Sequence, residues 1–477
     1  MTGLENITQV YFLGIGGIGM SALARWFRHL GLSVAGYDRT PSLLTATLEK
    51  EGLRVHYTDL GEEVSAITGN ASDTLVVVTP ALPSDHGEWN WFKNNGYTIL
   101  KRSTVLGMIC NPAHCIAVAG THGKTTVSTM AATILKMSPR GCGAILGGIS
   151  RNFGTNLLLP GAPEEWLVTE ADEYDRSFLQ LTPEVAVITY MDADHLDIYG
   201  NYEDVITSFL DFADGIKSGG SLVVRRELAG HFPALAGKEV YTYALSGEAS
   251  FVAGDLTLDP ATRNYSFRIH TPGGETPLIT MGYPGLHNVE NAVAAAAAAF
   301  LAGARLHDIA RGLTEYKGVS RRFDIRHKSG KCIYIDDYAH HPEELKAFIT
   351  SVRKMWPEKK ITGIFQPHLY SRTRDFSAEF ARSLDLLDTA LILPIYPARE
   401  LPIPGVSAEL ILSQMTLADK RLAEKEEIIP GLRKQNPELL LTMGAGDIEL
   451  LAEPIIAFLE QEVNGTPLTP HGNETDG

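Results

Sequence analysis

Residues 115–126, CIAVAGTHGKTT, constrain this chain more than any other segment. Five apolar residues run into a glycine turn, and the turn opens a run with helical spacing to about residue 136. A strand–turn–helix unit of this kind needs a parallel sheet behind it. Gly-Lys-Thr is the working end of a phosphate loop. Backbone N–H groups cradle the phosphates, Lys124 meets the β- and γ-phosphates, and Thr125 can ligate Mg²⁺. The longer consensus would place a glycine at position 118, where this chain has Val118. The loop Gly120, Thr121, His122, Gly123, Lys124, Thr125, Thr126 is therefore the shorter form G-x-x-G-K-T. A chance match is the plain alternative, and the strand before and helix after it favour phosphate binding.

A second glycine turn lies near the N-terminus. Gly14, Ile15, Gly16, Gly17, Ile18 and Gly19 read G-x-G-x-x-G after a strand at residues 10–13 and before a helix at 21–30. Glycines there permit a tight turn and close approach of a pyrophosphate to a helix N-terminus. Asp38, at the end of the next strand (33–37), stands where an acid meets a ribose hydroxyl. Alone, this pattern suggests a dinucleotide oxidoreductase, or merely a turn that lets a helix pack on a sheet.

The chain is long for one core, and 477 residues suggest roughly three domains. The reading is α/β throughout: a Rossmann-like N-terminal domain (1–107), a central phosphate-loop domain (108–320) and a Rossmann-like C-terminal domain (321–463). A polar tail from residue 464 is expected to be disordered. Short alternating runs with Gly and Pro over residues 221–284 predict an antiparallel insertion in the central domain. A helix is expected at 292–302, a linker at 316–321, and strands at 332–335, 361–365 and 391–394. A net charge of −16 leaves no general basic surface for a nucleic-acid backbone. Anions must be held by local N–H nests and a few placed cations. Four cysteines without paired spacing predict free thiols in a reducing compartment. With no signal-peptide core and no run of roughly 18 apolar residues, a soluble cytoplasmic protein away from membranes is expected.

Acids follow two core strands: Glu170, Asp172, Glu173 and Asp175 after 166–169, and Asp192, Asp194, His195 and Asp197 after 185–189. Such clusters are usually solvated loops, but ligands bind at the carboxyl ends of parallel strands. Further on, DDYAHHP from Asp336 and QPHLYSRTR from Gln366 each follow a strand. The adjacent pair His340 and His341 diverges, which argues against a zinc cage. Arg372 and Arg374 suit carboxylate recognition, or are surface charge.

Together these segments resemble the Mur ligase family. The carriers are GIGGIGMSALA from Gly14, AGTHGKTT from Ala119, TEADEYDRSFL from Thr169, DADHLDIYG from Asp192 and GLHNVENA from Gly285. GVSRRFD from Gly318, DDYAHHPEE from Asp336, QPHLYSRTRDF from Gln366 and YPARELPIPG from Tyr396 complete the series. The resemblance implies three domains binding a UDP-sugar, ATP and an amino acid, and it turns the first glycine turn into a UDP-sugar site with no redox cofactor. GIGGIGM, DDYAHHP and the YPA–PIPG stretch imply the member that joins L-alanine to UDP-N-acetylmuramate. A monomer or weak homodimer is the expected state, which no motif here fixes. The relative that attaches a recycled tripeptide to the same UDP-sugar is the alternative.

By resemblance Lys124 holds the β/γ-phosphates, Thr125 and Glu170 hold one Mg²⁺, and His195 helps hold a second. Asn288 and Asn291 meet the nucleotide base, Arg322 the phosphates and Asp337 the ATP ribose. Tyr338, His340, His368 and Arg372 shape the alanine and acyl-phosphate site. The chain departs from the pattern at Leu369, where many members carry arginine. It also lacks a Gly-His pair in the first domain, so His56 receives no uridine role.

Several relatives complete a metal site with a carbamylated lysine after DADH. Residues 196–216 contain no lysine here. Stripping bicarbonate should therefore leave the rate unchanged in a steady-state assay, and a loss restored by bicarbonate would contradict this reading.

Overall fold

The computed structural model describes residues 6–80, 82–192, 199–232, 235–398 and 400–464. Two compact units divide between Val319 and Ser320, inside the segment expected to link domains.

The first unit contains two sheets. Strands β1 (Gln9–Leu13), β2 (Ser33–Tyr37), β3 (Arg54–His56), β4 (Thr74–Val78) and β5 (Thr98–Lys101) form a parallel sheet in the order β3-β2-β1-β4-β5. The whole of β1 and β4 is buried, as strands covered by helices on both faces should be. The helix after the first glycine turn spans Ile18–His29. It starts earlier than the apolar spacing suggests, because Gly17 serves as its N-cap and Ser21 Oγ bonds the Ile18 carbonyl at 2.9 Å. Ile18 and Gly19 therefore belong to the helix.

The second sheet holds β6 (Cys115–Ala119), β7 (Cys142–Ile145), β8 (Leu157–Leu158), β9 (Trp166–Glu170), β10 (Val185–Ile188), β11 (Ser221–Arg225), β12 (Glu239–Ala244), β13 (Phe251–Leu258), β14 (Tyr265–Thr271), β15 (Gly274–Glu275) and β16 (Ile279–Met281). Their order is β15-β14-β13-β12-β11-β10-β6-β9-β7-β8, with β16 on β14. The antiparallel insertion is present but shorter than expected. β11 and β12 extend the parallel sheet, and antiparallel pairing starts only between β13 and β14. The alternating pattern reported half-exposed strands but not their direction, since parallel edge strands also show one wet face.

Helix Lys124–Lys136 packs under this sheet against helix Leu286–Leu301. The latter begins six residues before the expected start. Gly285 turns the chain at φ 98°, and Asn288 Nδ2 donates to the Pro284 carbonyl at 2.5 Å, tying the first turn to the segment before it. Its alanines let the two helices approach closely; all seven, Ala292 and residues 294–299, are fully buried.

The second unit is one sheet of β17 (Asp324–Lys328), β18 (Ile333–Asp337), β19 (Ile361–Phe365), β20 (Thr389–Ile392), β21 (Lys420–Leu422) and β22 (Leu439–Met443). Its order is β17-β18-β22-β19-β20-β21, and only β17 runs antiparallel. Asp336 and Asp337 are the last residues of β18 and do not follow it, because β22 pairs with both. The final described helix is Ala452–Asn464, and the expected tail beyond it lies outside the described residues. All four cysteines are free and buried. Among the described residues no helix is long and apolar enough to cross a membrane.

Candidate active site

β6 lies between β9 and β10 with all three parallel, so their carboxyl ends meet. Val118 pairs with Glu170, and Ala119 with Ile188. The phosphate loop leaves this junction with Gly120 at φ 130° and Gly123 at φ 83°, backbone that side chains disfavour. A Cβ on Gly120 would lie 2.1 Å from Thr189 Oγ1. That hydroxyl bonds the carbonyls of Ala119 and His122, closing the loop on itself.

Lys124 opens the helix. Its Nζ donates to the Gly120 carbonyl at 2.8 Å and to the two Glu173 oxygens at 2.8 and 2.7 Å. The side chains of this pair are only 14% and 2% exposed. Burial opposes the lysine charge, but Glu173, Glu170 and Asp172 outweigh it and raise its pKa. Glu173 is itself raised, burial prevailing over the lysine. The ammonium is thus held charged in a nearly dry site.

The next residue, Thr125, donates through Oγ1 to Glu170 Oε2 at 2.7 Å. A Cβ on Gly147 would lie 1.9 Å from the same carboxylate oxygen, so glycine there lets Glu170 lie flat against the backbone. Hydroxyl plus carboxylate beside a phosphate loop is a hard oxygen donor set suited to Mg²⁺. Thr126 is buried in the same helix.

On the other flank, Thr121 N–H bonds the Tyr190 carbonyl at 3.0 Å, and His122 Nε2 lies 3.4 Å from Asp192 Oδ2. His195, expected at a second metal, lies outside the described residues. Asn291 reaches the loop: a Cβ on Gly123 would sit 2.9 Å from Asn291 Oδ1, and Asn291 Nδ2 bonds Asn288 Oδ1 at 3.1 Å. Both asparagines are buried.

At the N-terminal turn, Gly14 has φ 92° and Ile15 is wholly buried core. Gly16 N–H donates to Asp38 Oδ2 at 2.7 Å. The carboxylate thus anchors the turn, and burial raises its pKa against its backbone hydrogen bonds.

The second unit assembles most of the remaining candidates in one chain of contacts. The Arg322 guanidinium lies 5.4 Å from the Tyr338 ring, whose centre is 5.2 Å from that of His340. His340 is 5.8 Å from His368, and Arg372 Nη1 is 3.5 Å from His368 Nδ1. Burial lowers the His340 pKa, Glu344 opposing, so the ring favours its neutral form. Its neighbour His341 turns instead to Phe376, 5.0 Å away. Asp337 accepts from Phe323 N–H at 2.7 Å and Ala339 N–H at 2.8 Å, and burial pushes its pKa up to about 6. Leu369 stands at φ 73° at the start of helix Tyr370–Leu384, a costly conformation for leucine. Arg374 pairs with Asp375 at 2.7 Å with both half-exposed, which is the surface-charge alternative.

Sequence reasoning passed over two features. Glu173 was visible in EADEYD, but nothing in the spacing marks it as Lys124's partner. Its aim comes from left-handed backbone at Asp175 and Arg176 and from the Tyr199 hydroxyl, which bonds the Glu173 carbonyl at 2.5 Å. Arg225, a residue of the expected insertion, lies 4.4 Å over the Tyr190 ring, and both bond Glu290 at 3.0 Å.

Three family models match this chain: "Mur ligase family, catalytic domain" over residues 9–114, "Mur ligase middle domain" over 118–299, and "Mur ligase, glutamate ligase domain" over 321–447. The chain belongs to the Mur ligase family. This Mur ligase is 45% identical to the UDP-N-acetylmuramate–L-alanine ligase of Cytophaga hutchinsonii over 460 residues, covering 96% of this chain and 98% of that one. The protein of the same name from Phocaeicola vulgatus is 46% identical over 461 residues, 96% of this chain and 100% of that one. Among solved structures, the UDP-N-acetylmuramate-alanine ligase of Thermotoga maritima superposes with a TM-score of 0.78 at 25% identity. That match covers 96% of this Mur ligase and 100% of its counterpart.

The Glu170–Gly147 contact gives the site a direct test. Gly147→Ala pushes the carboxylate off Thr125 and should weaken Mn²⁺ binding by about tenfold or more in a titration of the protein. Unchanged Mn²⁺ affinity would remove Glu170 from the metal site.

Proposed function

We propose that this Mur ligase joins L-alanine to the lactyl carboxylate of UDP-N-acetylmuramate, with ATP converted to ADP and phosphate, in the cytoplasm. The observation that carries this reading is the convergence of Lys124, Thr125 and Glu170 on one glycine loop. Beside it stands 45% identity, over nearly the whole chain, to proteins bearing that activity in their names. The three domains proposed are 1–107 for the UDP-sugar, 108–320 for ATP and 321–463 for the amino acid.

A carboxylate does not acylate an amine until one oxygen becomes a good leaving group. A lactyl oxygen attacks the γ-phosphorus, ADP departs, and the acyl phosphate forms. The alanine amine then attacks the acyl carbon, and phosphate leaves with the former carboxylate oxygen. Charge builds on the transferring phosphoryl group, so positioned cations supply most of the catalysis. Lys124 is the cation at the loop, and it must exchange Glu173 for phosphate oxygens. Thr125 and Glu170 would hold Mg²⁺, which when bound neutralises phosphate charge. Asn288 and Asn291 are assigned to the base, and Arg322 and Asp337 to the phosphates and ribose. Tyr338, His340, His368 and Arg372 shape the alanine site. His195, outside the described residues, would help hold a second Mg²⁺.

Alanine's carboxylate needs a cation when it leaves water. Leu369 cannot supply one and Arg374 lies at the surface; Arg372, whose Nη1 is 3.5 Å from His368 Nδ1, is the cation within the cluster assigned to alanine. Phosphate release should require ATP, UDP-N-acetylmuramate and L-alanine together; release with the tripeptide in place of alanine would favour the recycling activity. In that assay Arg372→Ala should cost about 2–5 kcal/mol in kcat/KM for alanine, and Arg374→Ala less than about 0.5 kcal/mol. Equal effects would assign the carboxylate to another group.

A further inference from the structure

A cation stands against the first glycine turn that no sequence motif marks. Arg102 is the first residue of helix Arg102–Cys110, at the carboxyl end of β5. Its guanidinium lies across Gly19: a Cβ there would be 3.0 Å from Arg102 Nη1 and 3.2 Å from its Cδ. The missing side chain at Gly19 gives the guanidinium room to lie this close to the first turn of the helix. The residues of the turn itself, 14–19, carry no charged side chain, and the acid bonded to it, Asp38, has the wrong sign for a phosphate.

Arg102 is not idle. Its Nη2 lies 3.2 Å from Asp172 Oδ2, with the side chains 19% and 36% exposed. Asp172 directly precedes Glu173, the partner of Lys124. One short stretch after β9 therefore engages a cation at each glycine loop, Asp172 at the first and Glu173 at the second. The left-handed residues Asp175 and Arg176 and the Asp172 carbonyl, bonded by Phe178 N–H at 2.9 Å, fix that stretch. One carboxylate oxygen on the guanidinium stands where a phosphate oxygen would.

We propose that Arg102 grips the diphosphate of the nucleotide sugar on the first glycine turn, and that Asp172 holds its guanidinium there until that anion replaces it. The inference rests on the UDP-sugar reading. It also makes residues 172–173 the shared counter-charge of both phosphate sites, so filling either loop changes the charge balance next to the other.

The test compares UDP with uridine by calorimetric titration of the full chain, in the parent protein and in Arg102→Gln, Arg102→Lys and Asp172→Asn. The parent should bind UDP more tightly than uridine. Arg102→Gln should reduce that preference about tenfold or more with uridine affinity retained, which also reports an intact fold. Arg102→Lys should fall between the two, and Asp172→Asn should tighten UDP about threefold or more with uridine unchanged. An undiminished preference for UDP in Arg102→Gln would overturn the assignment. A parent protein that binds UDP no better than uridine would instead overturn the UDP-sugar reading, and the proposal with it.

Discussion

The parallel pairing of β6 with β9 on one side and β10 on the other is the constraint on which the phosphate site depends. Parallel strands end together, so the glycine loop, Glu170 and the Thr189–Asp192 segment emerge at one edge with no further instruction. Backbone hydrogen bonds set that register, and the buried faces of the three strands keep it. Side-chain chemistry then operates over distances below 3 Å: Lys124 to Glu173, Thr125 to Glu170. A one-residue slip of β9 would turn Glu170 to the opposite face of the sheet.

The same arrangement places strong charges where water is scarce. Lys124 and Glu173 are mutually satisfied, and either alone would be costly. An arriving triphosphate therefore binds by exchanging partners, not by filling an open cationic pocket. That suits a chain with net charge −16, which cannot draw anions by its general field. Local pairs hold each cation in place, and they yield to a ligand carrying more negative charge than one carboxylate.

Much of this was legible in the sequence, for identifiable reasons. Glycine turns between a buried strand and a helix have few conformational solutions, so residues 14–19 and 120–126 disclosed their structure directly. Motif order identified the family. Strand direction in residues 221–284 was not legible, because a half-exposed alternating strand has the same pattern whichever way it runs. Asp336 and Asp337 were read as loop because acids are poor strand formers, and β22 overrode that preference by pairing with them. Partnerships across long separations were the least visible. Arg102 with Asp172, Lys124 with Glu173, and Arg225 with Glu290 each join residues that no spacing rule connects. Leu369 shows the limit from the other side: sequence marked the missing cation there, and the left-handed backbone emerged only in the fold.

The central claim is that the phosphate loop activates a carboxylate by phosphoryl transfer. The most direct measurement supplies UDP-N-acetylmuramate with both lactyl carboxylate oxygens replaced by ¹⁸O and determines the isotope content of the released phosphate by mass spectrometry. One ¹⁸O atom per phosphate is predicted, carried over as the bridging oxygen of the acyl phosphate. Phosphate free of ¹⁸O, formed alongside the alanine-linked product, would contradict the account.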